Sequence, residues 1–219
     1  MHEELTSFSA SVVDRKIYVA GRHGDFLKNS LDSFAVFDTA TQIWDSMPNT
    51  CSKTKDSGLQ SRSACFDGKF HVDTEQGVVA YNSKESRWDL TVPSLDSVLF
   101  PNSRSDSYCE IENVVYVFCG GVVTWYDAKV EATWGFLKGL IGLPKFPPGC
   151  SCRLVDYGGH MVVLWDEILP SSGDKMIWCA EIALERRENC EMFGKIEWFD
   201  HVLTVPIQYN FVSVLVATV

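Results

Sequence analysis

The sequence has few basic residues and no run of them. Glu185-Arg186-Arg187 is the densest basic cluster, and acids flank it. The formal net charge is −10, from 29 acidic against 19 Lys and Arg side chains. A nucleic-acid ligand calls for Lys and Arg against its phosphates, so no nucleic-acid partner is expected. Acidity on this scale serves solubility. Also missing are an apolar signal core behind MHEELTSFS and any N-x-Ser/Thr sequon. The eight cysteines are therefore expected as reduced thiols, in a cytoplasmic or nuclear protein. Cys150-x-Cys152 has no CxxC mate, so no zinc site is expected. Cys119 and Cys179 fall inside strand patterns, as packing residues do.

No long unbroken apolar helix pattern occurs. The C-terminal run VLTVPIQYNFVSVLVATV holds Pro206, Gln208 and Asn210. A spanning helix needs about 20 mostly apolar residues. Enrichment in Val, Thr, Tyr and Phe favours strand, so no membrane partner is expected. Catalytic signatures are lacking as well. No pair of the five histidines has H-E-x-x-H spacing, and there is no G-x-S-x-G, Walker loop or G-x-G-x-x-G. His71 and His160 stand in strand patterns, where a hydrogen-bonded structural role is expected. No catalytic, cofactor-binding or metal-ligating residue is expected, and no cofactor.

What the chain does have is a repeat. The stretch Phe34 to Pro48, FAVFDTATQIWDSMP, alternates apolar and polar residues, breaks at Asp38-Thr39 and resumes at Ile43-Trp44. That pattern is two strands joined by a polar turn, with Phe34, Val36 and Trp44 expected in one buried layer. It recurs. Phe37-Asp38 precedes Trp44, Tyr81-Asn82 precedes Trp88, and Tyr126-Asp127 precedes Trp134, with the leading aromatics 44 and 45 residues apart. A second anchor precedes each hairpin: Asp14-Arg15-Lys16, Asp67-Gly68-Lys69, Glu112-Asn113 and Tyr157-Gly158-Gly159. These anchors recur at roughly fifty residues, a spacing typical of one four-stranded repeat unit. An apolar fraction of 46 % with seven Trp can build a sizeable core. The repeat aromatics are expected in that core.

On SASVVDRKIYVAG (9–21), FAVFDTATQIWDSMP, WYDAKVEATW, WCAEIALERR and FVSVLVATV, the chain resembles the kelch part of plant F-box/kelch-repeat proteins over nearly its whole length. The kelch glycine doublet is kept at Gly120-Gly121, half kept at Ala20-Gly21, and lost at Val72-Asp73 and Trp165-Asp166. The resemblance implies an all-β, kelch-type β-propeller of about four four-stranded blades, roughly 9–48, 61–92, 107–138 and 151–199. One extra C-terminal strand is expected at 211–219, leaving an incomplete or open ring. The first ten residues show no F-box-like helix, so a Skp1-type adaptor is not expected to bind this chain.

The function implied is a non-enzymatic protein-interaction module. It resembles the substrate-recognition part of an F-box/kelch subunit of a Skp1–cullin ubiquitin ligase, and the protein target is not identified. The alternatives are a kelch-fold metal-dependent enzyme and a truncated, non-functional fragment. Candidate partner-binding residues lie in the loops that join second to third strands: Arg22, His23, Asp25 and Phe26 in the first unit, and Glu167, Ile168 and Leu169 in the fourth. A guanidinium, an imidazole and exposed apolar groups are good interface chemistry.

Overall fold

A computed structural model describes residues 7–23, 31–47, 59–74, 77–91, 107–127, 129–130, 133–187, 191–211, 214 and 216. The described residues form sixteen strands and no helix. They make four four-stranded antiparallel sheets, each paired in chain order. The chain divides into two compact units, Met1–Phe100 and Pro101–Val219, of two sheets each.

In the first unit, one sheet contains β1 (Ser7–Val13), β2 (Lys16–His23), β3 (Leu31–Asp38) and β4 (Ile43–Ser46). The next contains β5 (Leu59–Phe66), β6 (Lys69–Thr74), β7 (Gly77–Asn82) and β8 (Arg87–Leu90). The first turn of each sheet holds two residues with positive φ, Asp14 (49°) and Arg15 (61°), then Asp67 (51°) and Gly68 (64°). Two positive-φ residues match the right-handed twist of the flanking strands, which is why Asp, Asn and Gly mark these places. The last hairpin of each sheet closes on a carboxylate or amide. Asp38 Oδ1 accepts from the amides of Ala40 and Thr41, at 2.9 and 3.1 Å. Asn82 Oδ1 accepts from Lys84 at 3.0 Å. Such a side chain mimics a backbone turn.

These caps set the register that pairs Phe37 with Trp44 and Tyr81 with Trp88, rings 5.0 and 5.1 Å apart. Trp44 therefore shares a face with Phe37, not with Phe34 and Val36 as the alternation suggests. Its ring is 39 % exposed, while Phe34 is buried. The core between the two sheets stacks Tyr18 on Phe70 at 5.3 Å and packs Phe34 against Trp88 at 4.8 Å. The Ser11 and Ser63 hydroxyls join the inner strands at 3.0 Å.

In the second unit, one sheet contains β9 (Tyr108–Ile111), β10 (Val114–Cys119), β11 (Val122–Asp127) and β12 (Thr133–Phe136). The other contains β13 (Cys152–Tyr157), β14 (His160–Ile168), β15 (Lys175–Arg186) and β16 (Met192–Val205). Glu112-Asn113 and Gly158-Gly159 make the first turns, and the Gly120-Gly121 doublet makes the β10–β11 turn, all with positive φ. Between the sheets, Tyr116, Met161, Val163 and Trp165 are almost wholly buried. Ser107 Oγ accepts the Leu154 amide at 2.5 Å and ties the inner strands.

The strand expected at 211–219 is absent at the described residues of that segment: Phe211, Val214 and Val216 belong to no strand. The first residues of the apolar C-terminal run, 202–205, are instead drawn into β16. Pro206 then ends the ladder, since it has no amide to donate, and the Tyr209 amide turns back to the Pro206 carbonyl at 2.9 Å.

Candidate interaction surface on the fourth sheet

The fourth sheet is built differently from its neighbours. β4, β8 and β12 are four residues long, while β16 runs to 14 against the 12 of β15. Both segments, KMIWCAEIALER and MFGKIEWFDHVLTV, are rich in apolar residues and carry no proline, so nothing stops the ladder early. The two surplus residues of β16 appear as irregularities. Register shifts fall between Glu181/Ile182 and Ile177/Trp178, leaving Glu197 and Val202 without a partner in β15. These are β-bulges, each of which bends its strand and re-aims its side chains.

At its start β16 is closed on both sides. Lys138 bridges Phe193 in parallel fashion, through Lys138 N to Met192 O at 3.1 Å and Gly194 N to Lys138 O at 2.7 Å. Lys138 also pairs with Glu191. This close approach requires Gly194, because a Cβ there would lie 2.7 Å from both Ile182 Cγ2 and Leu140 Cδ2. Beyond Gly194, β16 is the last strand of its sheet, and no other described strand pairs with its outer side.

That outer stretch carries apolar side chains into solvent. Trp198, Phe199, Val202 and Leu203 are each 38–51 % exposed. Clustered apolar exposure of this kind marks interaction surfaces. Fixed polar contacts hold it. Glu181 on β15 accepts from His160 Nδ1 at 2.6 Å and from Trp198 Nε1 at 2.9 Å. The hydrogen bond from His160, with that from Trp198, holds the Glu181 carboxyl below its usual range. On the opposite face Trp178 stacks on buried Trp165 at 6.2 Å, meets His201 at 5.9 Å, and donates through Nε1 to Glu167 at 3.0 Å. A buried ion pair, Lys175–Asp166 at 3.0 Å, anchors the far end of the sheet, and Lys175 also donates to the Tyr209 carbonyl at 2.9 Å.

The residues singled out by sequence are spread over both units. Glu167 and Ile168 are the last residues of β14, paired with Met176 and Lys175. Leu169 opens the connection to β15, where its amide donates to the Asp174 carbonyl at 2.8 Å. Of these, Glu167 joins the aromatic surface through Trp178, and Ile168 is exposed. Arg22 and His23 end β2 and pair with Asp32 and Leu31, inside the strand ladder rather than in a loop. Asp25 and Phe26 lie outside the described residues. Sequence reasoning missed Trp178, Glu181, Trp198 and Phe199. Their signal was the length of the two proline-free, apolar-rich runs on either side of the charged segment 186–194. Among the described residues, no three His, Cys, Asp or Glu side chains group to hold a metal. Glu85 and Asp89 both pair with Arg87, at 2.9 and 3.1 Å. No described helix is long and apolar enough to cross a membrane.

Four antiparallel sheets, each of four strands in chain order and each opened by a tight positive-φ turn, define the kelch-type blade class of all-β proteins. The chain belongs to the FKB95 kelch-repeats family, whose domain matches residues 1–203. It is 53 % identical to the Arabidopsis thaliana F-box/kelch-repeat protein At5g51250 over 98 % of its own length and 59 % of that protein's. It is 50 % identical to At5g38670 (98 % and 72 %) and to At3g06570 (99 % and 56 %), F-box/kelch-repeat proteins of the same plant. The chain thus spans 56–72 % of the length of these three relatives. Likeness to solved structures is faint. A Bacteroides ovatus xyloglucan-locus GH43B protein gives a TM-score of 0.39 at 10 % identity, over 99 % of this chain and 48 % of that one.

Proposed function

We propose that this chain is a non-enzymatic protein-binding module that recognises the same kind of target as the kelch part of an F-box/kelch subunit of a Skp1–cullin ubiquitin ligase. The match to F-box/kelch-repeat proteins along 98 % of the chain carries the reading. The exposed aromatic and acidic surface of the fourth sheet supports it, because Trp and Phe anchors with a polar surround are the usual chemistry of protein interfaces. The test is target turnover. Produced in excess in plant cells, the chain should compete with full-length relatives for their target. The half-life of one or a few proteins should then lengthen in a pulse-chase proteome measurement. A turnover profile identical to that of cells producing an unrelated β-sheet domain would overturn the ligase-linked reading.

A further inference from the structure

We propose that the outer edge of β16 between its two bulges, Trp198 to His201, accepts an extended peptide strand of a partner in which Lys or Arg alternates with apolar residues. The inference rests on the binding-module reading above and names the ligand chemistry for it. An edge strand offers its outward backbone amides and carbonyls as a template for one more strand, although here the His201 amide is already bound to Asp200 Oδ1. The bulges at Glu197 and Val202 delimit the regular stretch to four residues, the length of the outer strands β4, β8 and β12. Ladders this short already hold strands in this molecule.

The side chains specify the partner by face. Trp198 and Asp200 alternate onto one face, in register with Glu181 and Cys179. Asp200 is exposed and has no cation partner among the described residues; its Oδ1 accepts only the neighbouring His201 amide, at 2.8 Å. An aromatic face beside a free carboxylate favours a Lys or Arg from an added strand, by cation–π attraction and cross-strand charge pairing. Phe199 and His201 alternate onto the other face, in register with Ala180 and Trp178. There the apolar neighbours favour Val, Ile or Leu. Together the two faces select a basic–apolar alternation, and the net charge of −10 steers such a peptide toward the chain. The same charge opposes pairing of β16 with a second copy.

The probe is fluorescein-labelled Lys-Val-Lys-Val-Lys-Val, blocked at both ends and followed by fluorescence anisotropy on the intact chain. Saturable binding is expected, at least tenfold weaker for the fully N-methylated peptide of equal charge, which cannot donate to the edge. Asp200→Lys should weaken binding at least tenfold and admit the Glu-Val alternating peptide. Asp45→Lys on β4, an equal change of charge, should leave binding within twofold. Equal affinity for the N-methylated peptide would show simple charge attraction and overturn the proposal. So would no binding to the wild type, or a dimer in light scattering that Asp200→Lys dissociates. Peptide binding without any effect on target turnover would sink the ligase-linked reading alone; altered turnover without peptide binding would sink the edge site alone.

Discussion

The third and fourth sheets lie side by side in the second unit and hold their outer strands by different means. β12 is a four-residue strand whose Trp134 pairs in register with Tyr126, next to a turn that Asp127 closes by accepting the Lys129 amide at 2.8 Å. β16 is held by a twelve-pair ladder with two bulges and by the bond from Trp198 to Glu181 on β15. Arg186, at the end of β15, reaches across to pair with Asp127 of the third sheet. A short outer strand depends on one turn and one aromatic pair. A long one depends on many small contacts. Both leave aromatics partly in water, Trp134 and Phe136 on β12 and Trp198 and Phe199 on β16, but the edge of β16 is the one bounded by two bulges.

Tryptophan substitutions give the largest contrast. Trp165 in β14 is 1 % exposed and Trp134 in β12 is 55 % exposed. Trp165→Ala should cost about 4 kcal/mol in urea unfolding, and Trp134→Ala about 1 kcal/mol. Equal losses would mean that the outer aromatic pairs carry as much of the stability as the core.

Histidine extends the contrast to pH. His71 in the first unit is buried; its Nε2 donates to the Phe66 carbonyl at 3.2 Å, and its Nδ1 has no partner among the described residues. Burial lowers its pKa from 6.5 to about 4. As pH falls from 6.5 toward 4, the unfolded chain takes up a proton that the folded chain refuses. Stability is therefore full above 6.5 and declines by about 3 kcal/mol across that window. His71→Gln should remove this part of the acid sensitivity. The Glu181 carboxyl, held below its usual range, contributes stability that is lost only at lower pH, as it is protonated in the folded chain. Melting curves from pH 7 to 4 on both proteins separate the two; identical slopes would refute the role given to His71.

Next in size is Gly194→Ala, which forces a Cβ to within 2.7 Å of Ile182 and Leu140 and should cost about 2 kcal/mol. Gly68 has open space but a φ of +64°, so Gly68→Ala should cost about 1 kcal/mol. Chemical denaturation ranks the pair, and a reversed order would mean that β16 is held less tightly at Gly194 than its geometry implies. The smallest effect is a gain. Arg15 stands at φ 61°, and Arg15→Gly should stabilise the first hairpin by about 0.5 kcal/mol.

Much of the fold was legible because it is encoded by neighbours in sequence. Asp14-Arg15, Asp67-Gly68, Glu112-Asn113 and Gly158-Gly159 each sit in a two-residue turn. Asp38, Asn82 and Asp127 each cap a hairpin that brings an aromatic opposite a Trp. The candidate surface was much less legible. Glu167 and Ile168 were expected in a loop and end β14 instead, and the expectation of buried repeat tryptophans hid Trp198.

Turn chemistry and aromatic spacing alone therefore determine the four sheets and the family, since each acts over a few residues of chain. How long β16 grows, where it bulges, and which tryptophan is buried and which half in water were decided by assembly. Those properties depend on the strand alongside and the sheet packed behind, supplied by residues tens of positions away.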